Sequence, residues 1–238
     1  MWSRGAFVPI DVVARIGHAS RGSSAVGHID RVPCVTIRYD DREERSAELG
    51  GAATERVRWA VELLNPGPDD QLLEIGCGPG VAVGLLCERL VGGRIVAIDR
   101  SATAISRAER RNAAHVAAGK AVLRTVALER LRPGDLLGAP ERFDKVFAMN
   151  VNLFWVRSAA KELDLIKRLL APGGALYLFY GYGGPPTVGA ASEHATRIPG
   201  VLTDRLRERG FTVEVTRGTG TLCVIATPQS ADGPARLG

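Results

Sequence analysis

Long hydrophobic runs are absent from this chain of 238 residues, and so is any block of consecutive basic residues. No apolar stretch approaches the roughly 20 residues that a membrane-spanning helix needs, which predicts a soluble protein without a membrane partner. The formal charge of +5 comes mostly from arginines scattered along the sequence. That distribution is typical of a solvated surface, so we expect no nucleic acid partner.

Cysteine is also scarce. The four cysteines lie far apart in sequence, at Cys34, Cys77, Cys87 and Cys223. Their number is too small for a disulfide framework, and no CxxC pair occurs, which predicts reduced thiols and a cytoplasmic location. The four histidines do not stand near them at metal-ligand spacing, so we expect no metal site.

Regular hydrophobic patterning covers only part of the chain and so sets the expected domain boundaries. Residues 1–46 mix Gly, Ser, Pro and Arg without a lasting period, which predicts a poorly ordered extension. Residues 47–228 carry the patterning of one domain. Residues 229–238 are rich in Gly, Pro and Ala and predict a disordered tail.

Strand and helix patterns alternate through the domain. Helices are predicted at residues 48–64, 81–90, 101–118, 159–170 and 200–210, and the first five strands at QLLEIG, RIVAID, VLRTVAL, FDKVFAMN and GALYLFY. This alternation indicates an α/β fold with parallel strands and right-handed crossovers. The last two strands, FTVEVTRG and TLCVIAT, are joined by Gly-Thr-Gly and must form an antiparallel hairpin.

A glycine-rich turn follows the first strand within LLEIGCGPG, Leu72–Gly80. Gly76, Gly78 and Gly80 suit backbone with positive φ or the close approach of a ligand. Asp99 ends the second strand, where a carboxylate can accept hydrogen bonds from both hydroxyls of a ribose. Together these residues predict a nucleoside ligand.

The glycine spacing also separates two classes of cofactor. A dinucleotide-binding fingerprint would need a small residue where Val81 stands. The spacing therefore disfavours a NAD(P)-dependent oxidoreductase, which stays open as an alternative. A second alternative is a protein that keeps the fold and binds the cofactor without catalysis.

The chain resembles the class I S-adenosylmethionine-dependent methyltransferases, and most closely their small bacterial members. The resemblance covers residues 55–228 and rests on five motifs in order: LLEIGCGPG, VAIDRS, FDKVFAMNVNLFW, RLLAPGGALYLFY and the terminal hairpin. It implies a Rossmann-like seven-stranded, mostly parallel sheet with helices on both faces and strand order 3-2-1-4-5-7-6. It also implies in-line transfer of a methyl group from S-adenosylmethionine to a small molecule, by a monomer or homodimer.

The resemblance further implies which residues bind the cofactor. They are Glu74, Gly76, Cys77, Gly78, Gly80, Asp99, Arg100, Leu128 and Asn150. Glu74 and the glycine turn would surround the methionine part, while Asp99 would hold the ribose. Glu74 is open to a second interpretation, as an acid that caps N–H groups of the turn.

The residues expected to contact the adenine ring of the cofactor depart from the family pattern. Many relatives carry an acid after the third strand, where this chain has Ala127 and Leu128. The backbone N–H of Leu128 is expected to contact the ring instead, and Glu129 is expected to point outward.

Substrate-binding candidates are Asn152, Trp155 and Tyr180, because they follow the fourth and fifth strands at the carboxyl edge, where open α/β sheets bind ligands. Trp155 either forms an aromatic wall or packs a helix against the sheet.

Tyr180 and His194 are candidate general bases. His194 lies on the predicted loop GYGGPPTVGAASEHATRIPG, and Tyr180 directly precedes it. This loop is long enough to form a lid. The alternative is that these loop residues have no catalytic part.

Overall fold

The computed structural model describes residues 55–136, 140, 142–181, 190–218 and 220–229. The predicted extension at residues 1–46 lies outside this part of the chain, as does nearly all of the predicted tail. In the part that is described, no helix combines the length and the apolar character needed to cross a membrane.

Seven strands form one sheet, and helices connect them. The strands are β1 Gln71–Ile75, β2 Arg94–Asp99, β3 Ala121–Thr125, β4 Phe143–Met149, β5 Leu170–Gly181, β6 Phe211–Gly218 and β7 Thr221–Pro228. The helices are α1 at residues 55–64, α2 Val81–Cys87, α3 Ala102–Arg111, α4 Ala113–Ala117, α5 Leu153–Val156, α6 Ala160–Leu169 and α7 Ala190–Glu208. Two short 3-10 turns lie at Leu128–Arg130 and Pro133–Leu136.

The strand order is β3-β2-β1-β4-β5-β7-β6, which confirms the predicted order. The first five strands pair in parallel, and β7 pairs antiparallel with both β5 and β6. Parallel strands covered on both faces are apolar throughout, and β1 follows this rule with Leu72, Leu73 and Ile75 all buried. The carboxyl ends of β1, β2 and β4 therefore meet at one edge of the sheet.

Two hydrophobic clusters cover the two faces of the sheet, as the alternation of side chains along each strand requires. Leu73 of β1 belongs to the cluster that includes Leu163 of α6 and Leu202 of α7. Leu72, its neighbour, belongs to the cluster that includes Leu64 of α1 and Leu86 of α2. The predicted placement of helices on both faces is thus confirmed.

The single helix predicted over residues 101–118 is wrong, because Asn112 separates α3 from α4. Its backbone leaves the helical region, with φ −110° and ψ 23°. Its buried side-chain Nδ2 donates hydrogen bonds of 2.9 Å to the carbonyls of Gly80 and Ala108. These bonds tie the break to the glycine turn, a long-range contact that helical periodicity does not reveal.

Helix α7 begins ten residues earlier than expected, at Ala190, although Pro199 lies inside it. The predicted loop ended at residue 200 and so included Pro199. Ile198, Leu202 and Leu206 are nevertheless buried at a spacing of four, so one face of α7 packs continuously on the sheet and outweighs the hydrogen bond lost at proline. His194 therefore lies on a helix rather than on the predicted lid loop, of which residues 182–189 are outside the described part.

Candidate functional site

The glycine turn after β1 is held against the end of β2. Gly76, Gly78 and Gly80 all have positive φ, at 75°, 52° and 72°. The backbone N–H groups of Gly76 and Cys77 both donate to the carbonyl of Ile98, at 2.8 and 3.1 Å. The turn is therefore rigidly placed, and only residues without a Cβ adopt its conformation without strain.

The glycines of the turn serve different purposes. A Cβ on Gly78 would meet no atom within 4 Å, so this residue faces open space that a ligand can enter. A Cβ on Gly80 would lie 2.6 Å from Nδ2 of Asn112 and 2.8 Å from the Cβ of Ala108. Gly80 is thus required by the packing of α3 against the turn.

Asp99 accepts two backbone hydrogen bonds. One carboxylate oxygen accepts from the N–H of Gly78 at 2.9 Å and the other from the N–H of Ser101 at 2.8 Å. Each carboxylate oxygen has a further lone pair, so both remain able to accept from a ligand hydroxyl. The N-terminus of α3 is capped by the Ser101 hydroxyl, which accepts a hydrogen bond from the backbone N–H of Ala104 at 3.2 Å. Asp99 is therefore not needed as the cap and can bind a ligand in the cleft.

A cleft of about 760 Å³ opens beside Asp99 at the carboxyl edge of the sheet. Its lining includes the predicted residues Gly76, Asp99, Arg100, Leu128, Asn150 and Asn152. Ala127 and Val126 add apolar surface at the end of β3. The volume falls within the range of small-molecule and cofactor sites.

Glu129 is exposed, in keeping with the expectation that it points outward, and it also borders this cleft. Its carboxylate pairs with the guanidinium of Arg157 at 2.8 Å, and Arg157 also reaches Glu162 at 3.3 Å. Both Glu129 and Arg157 line the cleft, so an ion pair between partly exposed side chains stands at its rim.

A second, smaller pocket of about 280 Å³ adjoins the cleft. The two share Gly76, Met149 and Asn150 as a common wall. Of the predicted residues, the pocket is lined by Glu74, Gly76, Cys77, Gly78, Asn150 and Tyr180. Eight of the nine predicted cofactor residues therefore line one of the two spaces, and Gly80 is the exception.

Glu74 is a buried acid on the wall of the smaller pocket, with only 2% of its surface exposed. Its Oε2 atom has no hydrogen-bond partner among the described residues. Burial raises the pKa of Glu74 from 4.5 to about 8, and the negative charge of Asp99 adds to the rise. At neutral pH this carboxyl is therefore mostly protonated and has one oxygen left for a ligand.

Asn150 joins the ends of β4 and β5. Its backbone is left-handed, with φ 55°, a conformation that asparagine tolerates better than most residues. Its N–H donates to the carbonyl of Phe179 at 2.8 Å, and its side-chain Oδ1 accepts from the N–H of Gly181 at 2.9 Å. Asn150 thus sets the shape of the wall between the cleft and the pocket.

Tyr180 lines the smaller pocket, while Trp155 lines neither space. The Tyr180 hydroxyl donates to the carbonyl of Val151 at 2.9 Å. Trp155 packs against the hydrophobic cluster under α5, and its indole N–H donates to Oδ1 of Asn152 at 3.2 Å. The side chain of His194 is outside the described part of the structure.

Three residues of α1, Arg56, Val57 and Trp59, border the smaller pocket and were not predicted to do so. Arg56 and Trp59, three positions apart on one side of the helix, both line the smaller pocket. The Trp59 ring packs edge-on against Phe179, with 5.8 Å between ring centroids. The sequence showed an amphipathic helix, but nothing in its period indicates which element it would cover.

Among the described residues, no group of three or more His, Cys, Asp or Glu side chains is arranged to hold a metal ion. Cys77, Cys87 and Cys223 are free and buried. Burial raises the pKa of all three thiols, to about 11 for Cys87, so they are neutral and unreactive near pH 7.

Comparison with known sequences finds a family match and several relatives. The family described as "Methyltransferase domain" matches residues 72–174. A trans-aconitate 2-methyltransferase from Delftia acidovorans is 34% identical over 127 residues, which cover 52% of this chain and 44% of that protein. The chain therefore spans less than half the length of this curated relative.

Comparison with solved structures supports the fold. A putative S-adenosyl-L-methionine-dependent methyltransferase from Methanococcus maripaludis aligns with a TM-score of 0.57 at 15% identity, over 81% of this chain and 92% of that one. The magnesium protoporphyrin IX methyltransferase from Synechocystis, solved with bound S-adenosylmethionine, aligns with a TM-score of 0.52 at 16% identity, over 82% and 86% of the two chains.

Proposed function

Because residues 72–174 match a family described as "Methyltransferase domain", we propose that this chain is a class I S-adenosylmethionine-dependent methyltransferase and transfers a methyl group from S-adenosylmethionine to a small molecule. One observation carries the proposal. The glycine turn borders both spaces: Gly76 lines the cleft beside Asp99 and also the pocket beside Glu74, and the open position at Gly78 faces that pocket. A ligand with a nucleoside at one end and an amino acid at the other matches that arrangement.

The residues present fit such a cofactor on two structural grounds. Gly78 leaves free the space that a Cβ would take, and the buried Oε2 of Glu74 lacks a partner among the described residues. Asp99 would hold the ribose, since it lines the cleft and each of its oxygens can accept a further hydrogen bond. Val126, Ala127 and Leu128 would contact the adenine ring, and Glu74 and Asn150 would lie beside the methionine part.

The cofactor supplies a methyl group already activated on a sulfonium. The protein then has to orient the acceptor and keep out water. The aromatic side of the smaller pocket, formed by Trp59, Phe179 and Tyr180, suits both tasks. Orientation alone contributes on the order of 7–11 kcal/mol in well-aligned reactions, so acid-base help from Tyr180 or His194 is not required.

Titration calorimetry with S-adenosylhomocysteine and with NADH tests the cofactor assignment. We expect S-adenosylhomocysteine to bind and NADH not to bind, because Val81 stands where a dinucleotide site needs a small residue. Binding of NADH alone would establish the oxidoreductase alternative instead.

Methyl transfer itself is tested with labelled S-adenosylmethionine. Trans-aconitate is the first acceptor to try, because relatives that match this chain are named for it. A cell extract is the second, followed by identification of the labelled product. A protein that binds the cofactor but labels no acceptor would be the non-catalytic alternative.

We also propose that the protein acts in the cytoplasm as a monomer or homodimer, without a nucleic acid or membrane partner. The three free, buried thiols support a reducing compartment. Light scattering of the purified protein measures the oligomeric state.

A further inference from the structure

Glu129 and Arg157 form an ion pair that joins two separate sides of the cleft. Glu129 lies in the 3-10 turn after β3, whereas Arg157 directly follows α5 after β4, and both line the cleft. In the sheet, β2 and β1 stand between β3 and β4. Neighbouring strands are about 4.8 Å apart, so about 14 Å separates the ends of β3 and β4. The pair therefore bridges this gap beside the strand ends where the cleft opens.

The bridge stands on the face of the sheet that α6 covers. Leu128, the residue before Glu129, shares a hydrophobic cluster with Leu163 of α6. Arg157 also reaches Glu162 in the first turn of α6, at 3.3 Å. On this face, a contact between two charged side chains completes the boundary of the cleft.

The backbone at Arg157 is held in place, so movement is left to the side chains. Arg205 of α7 donates hydrogen bonds to the carbonyls of Phe154 and Arg157 at the end of α5. The Phe154 side chain is buried in the core. Opening the bridge therefore needs only rotation of two long side chains and leaves α5 where it is.

The pair can open readily because it is partly exposed and because Arg157 has a second acid. The side chains of Arg157 and Glu129 keep 54% and 40% of their surface exposed. Ion pairs of this kind are weak in water and are screened by salt. When Glu129 moves away, Glu162 still balances the guanidinium. Two arrangements of the same charges are therefore available, one closed and one open.

Apolar residues line the cleft next to both members of the pair. They are Val126, Ala127, Leu128, Leu153 and Val156. Val156, the neighbour of Arg157 in sequence, is 63% exposed. A planar, largely apolar ring that entered this end of the cleft would cover that surface. Under the proposed function, the ring is the adenine of the cofactor.

We propose that the Glu129–Arg157 pair is a latch that opens when the cofactor enters and leaves the cleft. The inference rests on the proposed function, which supplies a ligand with a ring at this end. A latch raises the barrier to passage in both directions. Its loss therefore speeds binding and release by the same factor and leaves the equilibrium affinity nearly unchanged.

Stopped-flow mixing with S-adenosylhomocysteine measures the association and dissociation rate constants, with tryptophan fluorescence as the signal. Both constants are expected to rise about two- to fivefold in Glu129→Gln, since an exposed ion pair contributes no more than that. Asp164→Asn is the matched control. It breaks the ion pair with Arg209, whose exposure is similar, and Asp164 lines neither the cleft nor the smaller pocket. Its rate constants should equal those of the wild type.

Ionic strength gives a readout that a purely structural role would not move. Added NaCl screens the pair, so exchange in the wild type should approach that of Glu129→Gln, while the variant changes little. S-adenosylhomocysteine is a zwitterion without net charge, so long-range fields steer its approach only weakly.

Arg157→Gln and the double variant complete a cycle with Glu129→Gln. If the two residues act as one latch, the double variant should be no faster than either single variant. Arg157→Gln also removes a partner of Glu162, so it can lose stability. If it does not fold, the salt dependence of Glu129→Gln against the wild type decides.

Rate constants of Glu129→Gln that equal those of the wild type at low and high salt would overturn the inference. A fall in affinity with an unchanged association rate would also overturn it, because Glu129 would then bind the ligand rather than bar its passage. If the wild type binds no S-adenosylhomocysteine, the proposed function fails and the latch fails with it. That result is distinct from binding at unchanged rates, which overturns the latch alone.

Discussion

The carboxylate of Asp99, at the end of β2, accepts a hydrogen bond of 2.9 Å from the backbone N–H of Gly78, 21 positions earlier in the chain. The same acid that borders the larger cleft therefore also holds the glycine turn in its left-handed conformation. The proposed binding of the ribose and the placement of the turn therefore depend on one side chain, which couples the two parts of the candidate site.

Substitution of Asp99 by Asn should weaken binding of S-adenosylhomocysteine by about 1–3 kcal/mol, because charge-assisted hydrogen bonds become neutral ones. Affinity for 5′-methylthioadenosine should fall by a similar amount, since both ligands carry the ribose. Calorimetry measures both. Asp144→Asn is the control, because the Asp144 carboxylate accepts from the backbone N–H of Gln71 and lines neither the cleft nor the smaller pocket, so neither affinity should change. An unchanged affinity in Asp99→Asn would place the ribose elsewhere.

Gly78→Ala should mainly lose cofactor affinity, whereas Gly80→Ala should mainly lose stability. Alanine at Gly78 meets no neighbour, so it costs about 1 kcal/mol of backbone strain, yet it should sharply weaken binding of S-adenosylhomocysteine by filling the open space. Alanine at Gly80 collides with Asn112 and Ala108, so it should lower the free energy of unfolding by more than about 2 kcal/mol. Urea denaturation and calorimetry on both variants separate the effects. Normal cofactor binding by a folded Gly78→Ala would contradict the site.

Glu74→Gln should change how stability depends on pH. The pKa of Glu74 is raised from its ordinary value of 4.5 to about 8 in the folded protein, so the folded state binds this proton more tightly than the unfolded state does. The stability that results is complete below pH 4.5 and is lost as the pH rises through about 8. The wild type should therefore lose stability relative to Glu74→Gln between pH 5 and pH 9, by on the order of a few kcal/mol. Denaturation curves at several pH values measure the difference. Parallel pH profiles for the two proteins would show that Glu74 is ionised in the folded state.

Trp155→Phe tests whether this residue packs or binds substrate. Its position against the cluster under α5 and its bond to Asn152 predict a stability loss of about 1 kcal/mol and an unchanged affinity for S-adenosylhomocysteine. The KM for an identified acceptor should stay within about twofold. Trp59→Leu, in the lining of the pocket, is expected to raise that KM. A raised KM in Trp155→Phe would restore the interpretation as an aromatic wall.

Much of the fold could be predicted because its information is local. Strands β1, β2, β4 and β5 carry apolar runs, the longer helices have an amphipathic period, and the turn of the hairpin is too short for anything but antiparallel pairing. The five motifs led from there to a resemblance to the S-adenosylmethionine-dependent methyltransferases, and residues 72–174 match a family described as "Methyltransferase domain". The interruption of a helix at Asn112 and the continuation of α7 through Pro199 were missed because long-range packing decides them.

The sequence by itself predicted the strand order, the resemblance to methyltransferases and most of the residues that line the cleft and the smaller pocket, since patterns and motifs are written in consecutive residues. Only the tertiary structure decided that Gly80 faces α3 rather than a ligand, that Glu129 pairs with Arg157 at the rim, and that Arg56 lies across Gly181. Those facts depend on contacts between residues far apart in the chain. Local propensity sets which elements form, whereas the burial of their faces against one another sets which side chains meet.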